Sequence, residues 1–260
     1  MFQSGADLRE VSLPTGEAPR TLVHIGAVTV VGITSDGSNV YWAATNGQAG
    51  AHDAIWRVDR GGGHAMEIAR DVSVVPSGLV QVDGYLYWVD AAGIGRVGVD
   101  GRDLDRRFIP LHPGADGEVA SGLATDGHAL YFSRCEESAI ARVSLAGGQP
   151  DLHFVELGQR QCPQNLVLTS DYIYWTSLGF STEGGAVGRA GLRDGKPQTR
   201  WFQTGGVDGP NSVAADASYV YWTWGGTAGA PVYVARMATT RTGLVRKFLI
   251  GGDALCLVFQ

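Results

Sequence analysis

Apolar positions along the chain come in short bursts between turns, and long runs of the helix-favouring set Ala, Leu, Glu and Lys are missing. Five times a short apolar segment leads through a turn into an aromatic strand. The first segments are Gly32-Ile33-Thr34-Ser35-Asp36-Gly37, Gly78-Leu79-Val80-Gln81-Val82-Asp83-Gly84, Gly122-Leu123-Ala124-Thr125-Asp126-Gly127, Asn165-Leu166-Val167-Leu168-Thr169-Ser170-Asp171 and Ser212-Val213-Ala214-Ala215-Asp216-Ala217. The aromatic strands are Val40-Tyr41-Trp42, Leu86-Tyr87-Trp88, Leu130-Tyr131-Phe132, Ile173-Tyr174-Trp175 and Val220-Tyr221-Trp222, whose tyrosines lie 46, 44, 43 and 47 residues apart. In every copy the first residue of the segment stands nine before the tyrosine. A third alternating strand follows each time, as in Ile55-Trp56-Arg57-Val58 and Ile140-Ala141-Arg142-Val143, then a Gly- or Asp-rich turn and a fourth strand such as Leu152-His153-Phe154-Val155.

Four short strands joined by hairpin turns in about 45 residues predict one propeller blade per repeat. The Asp-Gly pairs supply the positive φ that tight hairpins need. Alternation sets the recurring third-strand Arg on the opposite face from its Ile and Val neighbours, where its stem is expected to pack along a neighbouring blade. Complete blades are predicted over residues 30–71, 76–110, 120–158, 163–205 and 210–250. Residues 7–25 read as a third and a fourth strand and 253–259 as one more, so the two termini together predict a closing blade. The expected architecture is therefore one all-β domain over residues 1–260, a six-bladed β-propeller closed between N- and C-terminal strands. Five blades with decorated ends is the alternative.

Composition supports this picture and narrows the partners. The 38 glycines and the 18% charged residues suit many short strands with tight turns, and 44% apolar residues suffice for a core. A net charge of −6 argues against a nucleic-acid or acidic-membrane surface. No apolar stretch is long enough for a membrane span. The opening Met1-Phe2-Gln3-Ser4-Gly5-Ala6-Asp7 shows no signal-peptide pattern, which leaves a cytoplasmic protein and a secreted or periplasmic mature domain both open. A monomer is expected. Three cysteines are too few for a disulfide scaffold, but Cys135 and Cys162 fall in adjoining loops of the third and fourth blades, where a bridge and two separate thiols are both open readings.

The tetrads Tyr174-Trp175-Thr176-Ser177 and Tyr87-Trp88-Val89-Asp90 resemble the strand core of YWTD-type propellers, and the stretch 210–222 is similar to blades of secreted bacterial propellers. The likeness implies a fold and leaves the activity to be read from a site.

That site is expected on the face that gathers the inter-blade loops and the second-to-third-strand loops, which carry His52, Asp53, Asp90, His112, Asp116, Glu118, Glu136, Glu137, Asp208, Asn211 and Asp253. The opposite face is mostly Asp-Gly and Gly-Gly turns. The innermost positions read Val31, Ser77, Ser121, Gln164, Asn211 and Asp253, and polar oxygens converging on an axis suit a hard divalent cation, Ca²⁺ first. The arrangement resembles the gluconolactonase (regucalcin-like) propellers. There an Asn in such a context and an Asp one blade later hold the metal, and an Asn one blade earlier contacts substrate. The resemblance implies Asn211 and Asp253 as metal ligands and Gln164 or Asn165 as substrate contacts. The family's Glu ligand falls at Ser77, so Glu118 of the next blade is the candidate third ligand. His112 and Asp208, with Glu118, are the candidate catalytic groups, and His52 and Trp224 are candidate substrate contacts, the latter as a stacking platform. The expected function is metal-assisted hydrolysis of a lactone, ester or phosphoester at the channel mouth. The alternative is a non-catalytic module binding a glycan, peptide or protein.

Overall fold

The computed structural model describes residues 2–4, 6–10, 20–45, 53–72, 78–90, 93–111, 121–158, 161–177, 184–203, 209–210, 212–225 and 232–251. All regular structure among them is β-strand, in a propeller arrangement. A first sheet holds β1 (Phe2–Ser4), β2 (Asp7–Glu10) and β3 (Arg20–His24). Blade 1 holds β4 (Thr29–Ser35), β5 (Asn39–Thr45), β6 (Ala54–Asp59) and β7 (Met66–Arg70). Blade 2 holds β8 (Leu79–Val82), β9 (Tyr85–Asp90), β10 (Gly93–Gly98) and β11 (Asp105–Pro110). Blade 3 holds β12 (Ser121–Thr125), β13 (Ala129–Arg134), β14 (Ala139–Ser144) and β15 (Asp151–Glu156). Blade 4 holds β16 (Pro163–Leu168), β17 (Tyr172–Ser177), β18 (Ala186–Gly191) and β19 (Pro197–Gln203). Blade 5 holds β20 (Ser212–Ala215), β21 (Tyr219–Gly225), β22 (Val232–Ala238) and β23 (Val245–Gly251).

Each blade is an antiparallel meander in chain order, and the inner strands β4, β8, β12, β16 and β20 touch in sequence. Among the described residues the four-stranded blades number five, the alternative count rather than six. The expected closing strand at 253–259 lies outside the described residues, and the N-terminal segment forms three strands where two were expected, because Phe2–Ser4 also pairs with Asp7–Arg9.

The core lies between blades, and the aromatic pair explains why. Successive strand residues point to opposite faces, so the tyrosine of each pair packs forward and the ring after it packs backward. Tyr41 joins Leu79, Leu86 and Trp88 of blade 2, and Tyr87 joins Leu123 and Phe132 of blade 3. Tyr131 joins Trp175, and Tyr174 joins Trp222. Trp42 packs backward on Leu8, Leu22 and Val23 of the N-terminal sheet. Where the ring is Trp88 or Trp175, the third-strand residue opposite is Gly95 or Gly188, and a methyl at either glycine would overlap the indole.

The lower ends are tied by a second repeated device. Asp36 accepts the backbone N–H groups of Ser38 and Asn39 and the hydroxyl of Tyr41, at 2.6 Å for the last. Asp126 with Tyr131 and Asp216 with Tyr221 repeat the pattern. Burial and the neighbouring carboxylate push Tyr131 and Tyr221 up to about 12. The recurring Arg stacks on rings of its own blade, Arg142 on Phe154 and Arg189 on Tyr172. It also reaches the next blade: Arg57 donates to the carbonyl of Val99, and Arg189 to that of Thr239.

Candidate functional site

Since every blade runs as a meander from the axis outward, its second-to-third-strand loop and the connector into the next blade fall at one end of the ring. The inner strands leave a central cavity of about 260 Å³, lined by Thr34, Gln81, Thr125, Asn165 and Ser212 together with apolar residues of the same strands. Its described lining carries no charged side chain.

Asn165 and Ser212 stand at the loop end of that lining, where β16 and β20 begin. Asn165 is 8% exposed, and its amide donates to the hydroxyl of Thr176 at 3.3 Å. Ser212 pairs across the ladder with Thr223, whose hydroxyl is buried and has no hydrogen-bond partner among the described residues; like Tyr221, Thr223 is on the face of β21 that points to the following blade. In blade 3 the hydroxyls of Ser121 and Ser133 meet at 3.0 Å. The residue after the aromatic pair is thus a hydroxyl in blades 3 to 5 (Ser133, Thr176, Thr223) and apolar in blades 1 and 2 (Ala43, Val89). Sequence reasoning passed over these three. The signal was the change from an apolar residue in blades 1 and 2 to a hydroxyl in blades 3 to 5 at one repeat position. Burying such a hydroxyl without a partner costs roughly 1–3 kcal/mol.

Blades 3 and 4 are fastened beside Gln164. Cys135, in the loop after β13, is disulfide-bonded to Cys162, just before β16, so of the two open readings the bridge is the one formed. The N–H of Gln161 donates to the Ser138 hydroxyl, and that of Leu157 to the Ser138 carbonyl. Gly122 sits at φ +60° with the Gln164 carbonyl directly where a side chain would be. Gln164 itself is half-buried, its amide 3.9 Å from the Cys162 sulfur. Closing a loop of this length contributes about 3–4 kcal/mol in the chain-entropy picture.

Trp224 is directed across its own blade. Its ring packs on Tyr233 at 5.3 Å, and its N–H donates to the Arg246 carbonyl on the outermost strand at 2.9 Å. Two of the acidic groups described at this end have local partners. Asp90 accepts from the Trp88 indole and the Gly93 backbone, and Glu137 pairs with Arg134. His52, His112, Glu118, Asp208, Asn211 and Asp253 lie outside the described residues. Among the described residues no group of three or more His, Cys, Asp or Glu is placed to hold a metal ion.

No family model matches the chain, and no curated protein matches it. Solved structures do. A chain of a nidogen/laminin complex is 17% identical, with 97% of this chain and 92% of that one covered, at a TM-score of 0.74. TolB from Acinetobacter baumannii is 13% identical over 92% of this chain and 58% of its own, at 0.68. A gluconolactonase from Xanthomonas campestris is 12% identical over 88% and 78%, at 0.60. At these identities the likeness shows the β-propeller fold, in keeping with the YWTD-like repeats, and nothing of the chemistry. No helix among the described residues is long and apolar enough to cross a membrane.

Proposed function

We propose that the protein binds a small molecule at the loop end of its central channel. The observation that carries this reading is Asn165: a buried amide on the wall of a 260 Å³ cavity, held from behind by Thr176. Pockets of this kind pair an apolar wall with a few fixed polar groups. The disulfide and the close approach at Gly122 hold the neighbouring strand starts in place, and a disulfide there suits an oxidising compartment.

Catalysis is the second reading, supported by the gluconolactonase likeness in fold. In it Asn211, Asp253 and Glu118 hold a divalent cation, Ca²⁺ first, with His112 or Asp208 as base and Gln164 and His52 beside the substrate. The ion would polarise a lactone, ester or phosphoester oxygen and lower the pKa of a bound water. The non-catalytic alternative, a module for a glycan, peptide or protein partner, uses the same end with Trp224 at its rim.

The ring around this channel is closed, in the same reading, by the N-terminal sheet between blade 5 and blade 1. Two observations support it. The N-terminal sheet meets blade 1 as blades meet each other: Gly62 lies over the Leu22 carbonyl as Gly101 lies over Ile68 and Gly195 over Phe154. Tyr221 and Val234, at positions that face the following blade in every earlier repeat, are 4% and 3% exposed.

One experiment addresses binding and catalysis together. Protein purified without chelator is analysed for metal, then melted with and without EDTA against a panel of sugars, lactones, esters and phosphoesters. A thermal shift that Asn165→Ala abolishes is expected. No shift with any compound sinks the small-molecule reading. An ion that stabilises the wild type but neither Asn211→Ala nor Asp253→Ala is expected of the catalytic reading, and full stability and turnover in EDTA overturn it.

A further inference from the structure

The joint between blades 3 and 4 carries a covalent link that its packing does not call for. We infer that the Cys135–Cys162 disulfide is a redox switch for the channel site: opened by a dithiol, it frees the start of β16 and weakens binding at Asn165. The inference rests on the small-molecule reading above and adds its regulation.

The first ground is redundancy. Tyr131, Ile140, Val155, Leu157, Leu166 and Trp175 already form one buried cluster between the two blades. The joints between blades 1 and 2 and between blades 2 and 3 are held by clusters of the same kind. With three cysteines in the chain, the pair leaves only Cys256, so no other joint has an intrachain disulfide. The link from loop to connector also exists without cysteine: Val72 donates its N–H to the Asp53 carbonyl in blade 1, as Leu157 does to the Ser138 carbonyl in blade 3. Reduction therefore leaves the two blades packed and acts on their loop end.

The second ground is what the disulfide holds. Cys162 immediately precedes β16, whose pairing with β17 slips by one residue between Pro163 and Leu166. The bulge falls on Gln164 and Asn165, and a bulge re-aims the side chains it carries while leaving part of the ladder unpaired. Across the joint β12 has its own irregularity between Ser121 and Leu123, where Gly122 leaves room for the Gln164 carbonyl. The disulfide anchors this irregular start three residues before Asn165 on the cavity wall. Once it opens, the ties described for the connector are the hydrogen bonds from Leu157 and Gln161 to Ser138.

The third ground is access. Cys135 is partly exposed in its loop, whereas Cys162 is 4% exposed. A reductant thiolate therefore meets the Cys135 sulfur. Attack there forms a mixed disulfide and sends the S–S electron pair to Cys162, whose sulfur has the Gln164 amide as donor at 3.9 Å. The second thiol of the reductant then displaces the Cys135 sulfur. The protein gains two electrons and the two protons of the dithiol, which leaves as its own disulfide.

Hydrogen exchange of the whole chain, oxidised and after dithiothreitol, tests the switch, with mass spectrometry counting one free thiol before and three after. Exchange in 164–168 is expected to speed up about tenfold or more on reduction, while 39–45 and 85–90 keep their protection. The reduced protein is expected to melt in one transition, several degrees lower. Unchanged exchange in 164–168 overturns the switch, and protection lost in every blade makes the disulfide a structural tie instead. Titration with glucose and with glucose 6-phosphate reads the site. Affinity for at least one is expected to fall about fivefold or more on reduction and to return when oxidised glutathione re-forms the disulfide. Equal affinity in both states overturns the regulation and leaves the small-molecule site standing. Binding of neither compound to the oxidised protein overturns both. Cys135→Ala opens the link without reductant and is expected to exchange and bind as the reduced wild type does; exchange like that of the oxidised protein also overturns the switch.

Discussion

Asp36, Asp126 and Asp216 perform one task at the turn between first and second strands, gathering two backbone N–H groups and a tyrosine hydroxyl onto one carboxylate. Burial alone would raise the carboxyls of Asp36 and Asp126, but the donors aimed at them outweigh it and hold both below the usual range. Blade 4 has Thr169 in that place. Its hydroxyl takes the N–H of Tyr172, but it offers no carboxylate to the Tyr174 hydroxyl, which is buried like its counterparts and has Arg189 as its charged neighbour. Thr169→Asp is therefore expected to stabilise the protein by about 1 kcal/mol, a rise in melting temperature of about 2–4 °C at pH 7. The sign of the pH dependence follows from the depressed carboxyl. The gain is present above the unfolded-state pKa near 4 and is lost as pH falls through the lower folded value. Melting curves at pH 7 and pH 3 check it, and an equal gain at both, or none at pH 7, rules the account out.

Among the elements, the strands and turns were legible because each repeat states the same pattern: an apolar segment, a turn, an aromatic pair, an alternating strand with Arg. The forward-facing tyrosine and backward-facing tryptophan turn that pattern into blade-to-blade packing. Gly188 shows how narrow the fit is, since the Trp175 indole occupies the space of its missing side chain. Gly188→Ala is expected to cost about 1–3 kcal/mol by overpacking, lowering the melting temperature by several degrees, with Ala141→Gly, opposite the smaller Phe132, as the comparison that loses packing without a clash. A melting temperature unchanged by Gly188→Ala would mean the indole has room to move. The candidate site was less legible. Asn165 was visible as a polar residue at an inner-strand start, but Thr176 and Thr223 follow the aromatic pair, where a β-branched residue reads as ordinary strand. Only the comparison among five copies reveals that two are apolar there. Trp224 illustrates the opposite limit: a loop-end indole reads as a platform, yet alternation turns this ring along its own blade toward Tyr233.

For the molecule as a whole, each blade touches only its neighbours, so stability is shared along a ring and depends on how the ring is joined. Blade 1 is clasped to the N-terminal sheet by Glu10, which accepts from Arg20 and Arg60 at 2.9 and 2.7 Å. Burial opposes the charge on Glu10, but the two guanidiniums hold its carboxyl below the usual range. Blade 5 has no such described neighbour, although Tyr221 and Val234 are covered. If the covering is the N-terminal sheet completed by 253–259, removing residues 252–260 withdraws Leu255, Leu257, Val258 and Phe259 from that interface. A loss on the order of 5 kcal/mol is then expected from apolar burial alone, and with it a fall in melting temperature of about 10 °C or more. Hydrogen exchange locates the effect: protection should be lost together in 20–24 and in 219–225, at the two sides of the joint, and retained in 129–144 on the far side of the ring. Loss confined to one side would mean that blade 5 and the N-terminal sheet do not meet through this segment. The channel would then be open between them.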